Sequence, residues 1–184
     1  MRTLLIGGAR SGKSTLAQRW ADERCRQVCV IATGTESDPE MAARIAAHRR
    51  VRPPHWRVRE EPVHLGRALC EEQAAREDPA APAELILVDC LTLWISNCLW
   101  PSTQPASMDR AAWIRERTGF LDALSVCTRD VILVTNEVGT GIVPANAAAR
   151  VFRDEQGWLN QLVAAACDEV FFVTAGLALR LKPG

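Results

Sequence analysis

The sequence predicts a three-layer α/β domain built around a mainly parallel β-sheet. Short apolar runs rich in valine, isoleucine and leucine alternate with longer segments of helical periodicity, which is the pattern of successive βα units. The chain has 184 residues, 48% hydrophobic and 24% charged, which suits one domain with a full hydrophobic core. No internal repeat or long linker divides the sequence, so residues 1–184 are expected to form a single domain.

The first half of the chain contains four predicted strands, each a short apolar or alternating run. They are Thr3–Ile6, Val28–Ala32, Trp56–Glu60 and Leu85–Asp89. Segments with helical spacing separate them: Ser14–Cys25, a helix from about Ser37 to Arg50, and Val63–Arg76. The second of these helices opens with a capping-box spacing from Ser37 to Glu40 and carries Pro39 in its first turn. Residues 78–84, rich in proline and alanine, are predicted to form a loop.

The second half of the chain continues the same alternation. The predicted helices are Leu91–Leu99, Ala111–Cys127 and Asn146–Ala166. The predicted strands are Val131–Thr135, Glu169–Thr174 and a last one over Leu177–Leu181. Polar residues 101–107 are expected to form a surface loop, and a glycine-containing loop ends at Pro144.

Charge and hydropathy exclude several classes of partner. Twenty-two basic residues balance 22 acidic ones, so no global field attracts nucleic acid or an anionic membrane. No stretch reaches the roughly 18 apolar residues of a membrane span, and the N-terminal apolar run is too short for a signal peptide. Any anion that the protein binds must therefore be held by a local site.

The seven cysteines predict reduced thiols in a cytoplasmic protein. Their number is odd, their spacing is irregular and their neighbours are mostly apolar. Cys25 and Cys29 alone have a spacing that could suggest a metal pair, but no second cysteine or histidine pair lies nearby in the sequence.

A phosphate-binding loop is the most specific motif in the chain. The pattern G-x-x-x-x-G-K-[ST] is satisfied in full, between a predicted strand and a predicted helix, by Gly7, Gly8, Ala9, Arg10, Ser11, Gly12, Lys13 and Ser14. Glycines allow the backbone to turn its N–H groups toward phosphate oxygens, and the helix adds its positive N-terminal end. Lys13 can then reach the β- and γ-phosphates, and the Ser14 hydroxyl can ligate Mg²⁺. The alternative is a glycine-rich turn that matches by chance.

Asp89 is the expected partner of this loop. It ends the most clearly apolar strand, and an acid at the end of a buried strand beside a phosphate loop can hold Mg²⁺ directly or through water. The alternative role for Asp89 is to cap the helix that begins near Leu91.

A histidine on the second helix forms another candidate site. Met41, Ile45 and His48 recur at helical spacing, and Arg44 lies four residues before His48. A neighbouring cation favours the neutral imidazole, which is the nucleophilic form. A single histidine on a helix is, however, more often a boundary residue than a catalyst.

The phosphate loop alone leaves kinases, GTPases and ATPases open. No N-K-x-D guanine-reading motif follows a strand, which disfavours a Ras-like GTPase. Residues 135–138, T-N-E-V, are superficially similar to that motif but lack both its lysine and its aspartate.

Five blocks together resemble one family along nearly the whole chain. They are GGARSGKS at 7–14, IAT at 31–33, EMAARIAAH at 40–48, RPPHW at 52–56 and TNEVGTGIVP at 135–144. In order and spacing they are similar to the bifunctional adenosylcobinamide kinase/adenosylcobinamide-phosphate guanylyltransferases of cobalamin biosynthesis. The resemblance implies a RecA-like P-loop NTPase fold, a corrinoid substrate, GTP or ATP with Mg²⁺, and a homotrimer.

The resemblance also implies two reactions and a set of site residues. The family first phosphorylates adenosylcobinamide, then transfers GMP from GTP to that phosphate through a GMP–histidine intermediate, and His48 matches the histidine. Besides the loop, the residues that match nucleotide contacts of the family are Ile31, Ala32, Thr33, Arg49, Arg50, Val51, Arg52, Glu60 and Asp89.

One departure from the family pattern leaves the nucleophile open. Some relatives carry a second histidine where this chain has Ala47. If that residue were the nucleophile, His55 or His64 would have to replace it, although His55 is expected to pack beside Trp56. Two rival functions stay open as well: a small-molecule kinase without a covalent intermediate, and a nucleotide-gated binding or switch protein.

Overall fold

The computed structural model describes residues 1–25, 27–36, 38–74, 84–100 and 108–183. Its strands are, in chain order, β1 (Arg2–Gly7), β2 (Gln27–Ala32), β3 (Arg57–Glu60), β4 (Glu84–Asp89), β5 (Val131–Asn136), β6 (Glu169–Thr174) and β7 (Leu177–Lys182). Its helices are α1 (Lys13–Arg24), α2 (Pro39–Arg50), α3 (Leu65–Ala74), α4 (Leu91–Leu99), α5 (Arg110–Val126) and α6 (Ala147–Ala166). Every predicted strand and helix is present, and each predicted end that falls among the described residues is matched within two residues. Arg76 and the predicted loops at 78–83 and 101–107 lie outside the described residues.

The strands form one seven-stranded sheet in the order β3-β2-β4-β5-β1-β6-β7. All pairs are parallel except β6 with β7, so the predicted α/β fold with a mainly parallel sheet is confirmed. Within this order, β5 lies between β1 and β4. Asp89 therefore ends a strand that is separated from the strand of the phosphate loop by one other strand. The carboxyl ends of the parallel strands still meet at one edge, where ligands of such sheets bind.

Both faces of the sheet are covered by helices, which produces three layers. Successive residues of β1 point to opposite sides, with Leu4 in one buried cluster and Leu5 in the other. On the first side, α3 to α6 contribute a cluster in which Trp94 makes edge-to-face contacts with Trp113 and Phe120, both at 5.1 Å between ring centres. On the second side, α1 packs against the sheet.

Helix α2 differs from the other helices, since none of its residues is buried. Its N-cap is Asp38, whose carboxylate accepts a hydrogen bond from Met41 N at 2.8 Å. The predicted capping box from Ser37 to Glu40 is thus replaced by a cap one residue later, and Ser37 itself is not among the described residues. Pro39 occupies the first turn as predicted, and the helix ends at Arg50.

Two negative findings concern the described residues. None of their helices is long and apolar enough to cross a membrane. Among the same residues, no group of three or more histidine, cysteine or acidic side chains could hold a metal ion. The seven cysteines are thiols rather than disulfides, and Cys29, Cys98 and Cys167 are buried.

Candidate active site

The phosphate loop lies between β1 and α1 and is fixed by its neighbours. Arg10 and Gly12 have positive φ values of 57° and 94°, which let the loop turn back on itself. Gly7 packs so closely that a Cβ there would lie 2.2 Å from the carbonyl oxygen of Val173. Backbone hydrogen bonds join Gly7 O to Glu137 N at 3.0 Å and Ser11 O to Gly176 N at 2.9 Å. The loop is therefore held by the ends of β5, β6 and β7 before any ligand binds.

Lys13 lies inside the curve of the loop. Its side chain is largely buried, and Nζ donates a hydrogen bond to Gly8 O at 2.9 Å. Burial lowers the pKa of Lys13 from its ordinary value. A phosphate oxygen in the loop can replace this carbonyl as acceptor, which would return a negative partner to a poorly solvated cation.

Asp89 connects the loop to the second helix. Its Oδ1 lies 3.4 Å from Ser14 Oγ, while Oδ2 lies 3.5 Å from His48 Nδ1 and 3.4 Å from Arg52 Nη2. Burial alone would raise the pKa of Asp89, but the hydrogen bonds and charges of His48 and Arg52 outweigh it and lower the pKa. The Asp89 carboxylate is thus kept ionised beside Ser14 of the phosphate loop.

The capping role considered for Asp89 is not what the structure shows. The N-cap of α4 is Cys90, with no hydrogen bond from a side chain. The Asp89 carboxylate faces Ser14, His48 and Arg52 instead. A serine hydroxyl beside a carboxylate is also a donor set that suits Mg²⁺, which binds through hard oxygens together with substrate phosphates.

His48 lies in the last turn of α2, with 43% of its side chain exposed. With Nδ1 directed at Asp89, Nε2 on the opposite side of the ring is the nitrogen that can attack a substrate. The sequence predicted the cation Arg44 as the charged neighbour of His48, whereas the neighbour at ion-pair distance is the anion Asp89. Hydrogen bonding to a carboxylate fixes the tautomer and orientation of an imidazole, as in other catalytic pairs.

These groups share one cavity of about 630 Å³ at the carboxyl edge of the sheet. This volume is in the range of small-molecule sites. Predicted site residues that line it are Ala9, Arg10, Ser11, Gly12, Lys13, Ser14, Ala32, His48, Arg49, Arg52, Glu60 and Asp89. Two polar atoms of its lining, Ser11 Oγ and Arg52 Nε, are buried without a hydrogen-bond partner among the described residues. Such orphaned groups fit a site that is completed by a polar ligand.

Other predicted nucleotide contacts lie elsewhere. Ile31 is fully buried in the core. Thr33 is buried and uses its hydroxyl to accept from Cys90 N at 3.0 Å and donate to Cys90 O at 2.6 Å. Arg50 and Val51 are exposed at the end of α2. None of these four residues belongs to the lining of the cavity, and Thr33 instead supports the backbone next to Asp89.

The other two histidines are poorly placed to substitute for His48. His55, which was expected to pack beside Trp56, is exposed, whereas Trp56 is buried. His64 lies with Nδ1 2.9 Å from Glu116 Oε1, between α3 and α5. Neither lines the cavity that holds Lys13 and Asp89.

Sequence reasoning missed several residues of the cavity wall. Met41, Ile45 and Val58 supply apolar surface, and Arg44 supplies a further cation. The helical stripe of Met41, Ile45 and His48 was visible in the sequence, but nothing local indicated that it faces the loop. Beside this wall, Arg49 forms ion pairs with Glu36, at 3.3 Å, and with Glu60.

The block at 135–144 also reaches the site. Asn136 ends β5, lines the cavity and donates its N–H to Thr92 Oγ1 at 2.8 Å. Gly139 N donates to Glu137 Oε1 at 2.5 Å, which makes the tight loop at a strand end that the glycines predicted. Ile142 near the end of this loop is 97% exposed.

Comparisons with known proteins agree on one family. The family model described as cobinamide kinase / cobinamide phosphate guanyltransferase matches residues 3–181. The bifunctional adenosylcobalamin biosynthesis protein CobP of Pseudomonas aeruginosa is 44% identical over 99% of this chain and 98% of its own length. The bifunctional adenosylcobalamin biosynthesis protein CobU of Salmonella typhimurium is 41% identical over 99% of this chain and all of its own length. A solved structure from Pyrococcus horikoshii OT3 matches 99% of this chain and 86% of its own at 11% identity, with a TM-score of 0.53, a likeness in fold alone.

Proposed function

The chain belongs to the cobinamide kinase / cobinamide phosphate guanyltransferase family, and on this premise we propose that it catalyses two successive steps of cobalamin biosynthesis. In the first, the hydroxyl of the aminopropanol arm of adenosylcobinamide receives a phosphoryl group from a nucleoside triphosphate. In the second, GMP passes from GTP to that phosphate, which yields adenosylcobinamide-GDP and pyrophosphate. The observation that carries the proposal is the single cavity that joins Lys13, Ser14 and Asp89 to His48.

In the kinase step, the phosphate loop holds and orients the triphosphate. The substrate oxygen attacks the γ-phosphorus, and the bond from that phosphorus to the β–γ bridging oxygen breaks. Lys13 and the loop N–H groups stabilise the charge that develops on the departing nucleoside diphosphate. Ser14 and Asp89 would hold Mg²⁺, which supplies further charge neutralisation when bound. The histidine takes no part in this step.

In the guanylyl transfer, His48 acts as the nucleophile. Its Nε2 attacks the α-phosphorus of GTP, a nitrogen–phosphorus bond forms, and pyrophosphate leaves. Asp89 orients the ring through Nδ1. An oxygen of cobinamide phosphate then attacks the same phosphorus and releases the imidazole. The covalent intermediate divides one difficult transfer into two easier ones.

The apolar wall of the cavity suits the base of GTP. Met41, Ile45 and Val58 offer surface on which a purine ring can pack, and Glu60 lies on the same lining. A carboxylate can accept hydrogen bonds from N1–H and the 2-amino group of guanine, a pair of donors that adenine lacks. This arrangement supports GTP as the donor of the nucleotidyl group, with Glu60 as the residue that selects it.

Product analysis tests the two-step proposal and its rivals. Adenosylcobinamide is incubated with GTP or ATP separately, with Mg²⁺, and the corrinoid products are identified by mass. With GTP we expect the mass of one phosphate to be added first and that of GMP next. A product that stops at the phosphate under all conditions would indicate a simple kinase. Nucleotide hydrolysis without any corrinoid product would indicate a switch protein.

Association of copies and a cytoplasmic location complete the proposal. Apolar side chains at the sheet edge are strongly exposed, with Leu177, Leu179 and Leu181 of β7 at 73%, 62% and 57%. These values support burial against further copies, in the homotrimer that the resemblance implies. Light scattering on the purified protein tests this assembly. Cysteines present as thiols support a reducing compartment.

A further inference from the structure

Arg44 is a cation of the nucleotide cavity that no step above uses. It lies on α2 and lines the same cavity as Lys13, Ser14 and His48. Among the described parts of the chain, no side chain or carbonyl forms a hydrogen bond or ion pair with its guanidinium. Neighbouring arginines differ, because Arg49 pairs with Glu36 and Glu60, and Arg52 with Asp89. Arg44 is therefore an exposed residue of the cavity lining whose donors are not used by other described residues.

The charges around the cavity point to an anion as the partner of Arg44. Five basic side chains line the cavity against two carboxylates, Glu60 and Asp89. Arg44 and Lys13 are two of these five cations, and both line the same cavity. Two cations in one cavity repel each other, and an anion that binds to both offsets this repulsion. A polyphosphate chain is such an anion, because it carries several negative charges and its oxygens accept hydrogen bonds from the planar guanidinium.

The spacing on α2 determines which phosphates Arg44 can reach. Arg44 and His48 are four residues apart, about 6 Å along the helix axis. His48 lies at Asp89, whereas Arg44, about one turn earlier on α2, shares the cavity with Lys13, the residue that can reach the β- and γ-phosphates. With His48 at the α-phosphorus, Arg44 is thus displaced toward the outer end of the triphosphate.

We propose that Arg44 binds the β- and γ-phosphates of the nucleotide and stabilises pyrophosphate as His48 displaces it. When the nitrogen–phosphorus bond forms at His48, the bond from the α-phosphorus to the α–β bridging oxygen breaks. The electron pair remains on that oxygen, and the added negative charge falls beside Arg44 and Lys13. This role rests on the proposed guanylyl transfer, whereas the phosphate contact itself does not depend on it.

Two variants and one control test the phosphate contact. Arg44→Gln removes the charge, and Arg44→Lys retains it without the forked donors. Arg19→Gln is the control, since Arg19 lies on α1, pairs with Glu23 and is 64% exposed. In titration calorimetry with inorganic pyrophosphate, we expect Arg44→Gln to bind roughly 10- to 100-fold more weakly than wild type, and Arg44→Lys to lie between them. GMP should bind equally to all four proteins. Equal pyrophosphate affinity in Arg44→Gln and wild type would overturn the proposal.

A rate measurement tests the catalytic half. Single-turnover formation of protein-bound GMP from α-labelled GTP should slow by roughly 100-fold in Arg44→Gln, at saturating GTP, and remain unchanged in Arg19→Gln. Thermal melting should be unchanged, because α2 buries no residue. Labelling of Arg44→Gln at the wild-type rate would overturn the role in pyrophosphate release while leaving the proposed function intact. A wild-type protein that takes no label would contradict the proposed function, and pyrophosphate binding would still decide whether Arg44 contacts phosphate.

Discussion

The phosphate loop and helix α2 face the same cavity but are held in different ways. The loop is fixed through Gly7 and Ser11 to three strand ends by backbone hydrogen bonds, and Lys13 is buried within it. Helix α2 buries no residue and is held by its Asp38 cap, by the contact of His48 Nδ1 with Asp89 and by the ion pairs of Arg49 with Glu36 and Glu60. The proposed phosphate site thus belongs to the packed core, while the proposed nucleophile, His48, lies on a polar surface helix.

This difference separates the consequences of mutation. Changes in the loop should alter nucleotide binding and both reactions, and a change at its closely packed Gly7 should alter stability as well. Changes on α2 should leave the fold intact and affect only the chemistry that needs that helix. Asp89 lies between the two regions and should show an intermediate effect.

The largest effect is expected for Lys13→Ala. Both reactions need the β- and γ-phosphates held and neutralised, so both rates should fall about 10²- to 10³-fold, or roughly 3–4 kcal/mol. Melting temperature should not decrease, because the substitution removes a desolvated cation. Steady-state assays of phosphorylation and guanylyl transfer measure the two losses. Guanylyl transfer at the wild-type rate would show that the two reactions use separate sites.

A second test concerns how tightly the sheet holds the loop. In Gly7→Ala, the new Cβ would lie 2.2 Å from Val173 O, so the backbone must move, at a cost of about 1–3 kcal/mol in unfolding free energy. Gly8→Ala is the matched control, since nothing lies within 4 Å of a Cβ there. Urea unfolding of both variants gives the difference. Equal unfolding free energies for the two variants would mean that the loop backbone accommodates the new Cβ at no cost, and that the loop is not held rigidly by the sheet.

Asp89→Asn should raise the Mg²⁺ concentration needed for half-maximal activity by about tenfold or more. The amide can still accept a hydrogen bond from Arg52, so the fold should survive at pH 7. The wild-type carboxylate, with its lowered pKa, stabilises the fold above its ordinary pKa and loses that contribution as pH falls through the lowered value. A large fall in melting temperature at unchanged metal dependence would make Asp89 a structural residue.

The smallest effect is expected at Asp168, which lies far from the cavity, near the amino ends of β1 and β6. Asp168 accepts hydrogen bonds from Arg2 N at 2.6 Å and Arg2 Nη2 at 2.8 Å, which lower the pKa of Asp168 to about 2. Because its side chain is 37% exposed, Asp168→Asn should cost less than about 1 kcal/mol at pH 7. The cost should be present above the ordinary pKa and vanish as pH falls toward 2. A difference in unfolding free energy that grows on acidification would contradict this assignment.

The two regions also differ in how far the sequence predicts them. The loop is a contiguous motif between a strand and a helix, so the positions of Lys13 and Ser14 in the site could be predicted without a structure. Asp89 was predicted for the same reason, as the polar end of an apolar strand. The insertion of β5 between β1 and β4 could not be predicted, because strand order depends on packing between distant segments.

The environment of α2 was predicted less well. Periodicity placed His48 beside Arg44, but only the fold brings Asp89 to His48. The resemblance implied nucleotide contacts for Ile31 and Thr33, whose side chains the structure buries. A matching motif does not show which side chains of a strand reach a site beyond its end. Capping at Asp38 rather than Ser37 was a local ambiguity between two adjacent good cap residues.

Mapping of covalent GMP after incubation with GTP and Mg²⁺, without corrinoid, tests the central claim most directly. We expect mass spectrometry to place one GMP on the peptide that contains His48, in a bond that is stable to alkali and broken by acid. His48→Asn should lose the label and guanylyl transfer while still phosphorylating cobinamide, and His55→Asn should behave as wild type. An undiminished label in His48→Asn, or no label on the wild-type protein, would contradict the account.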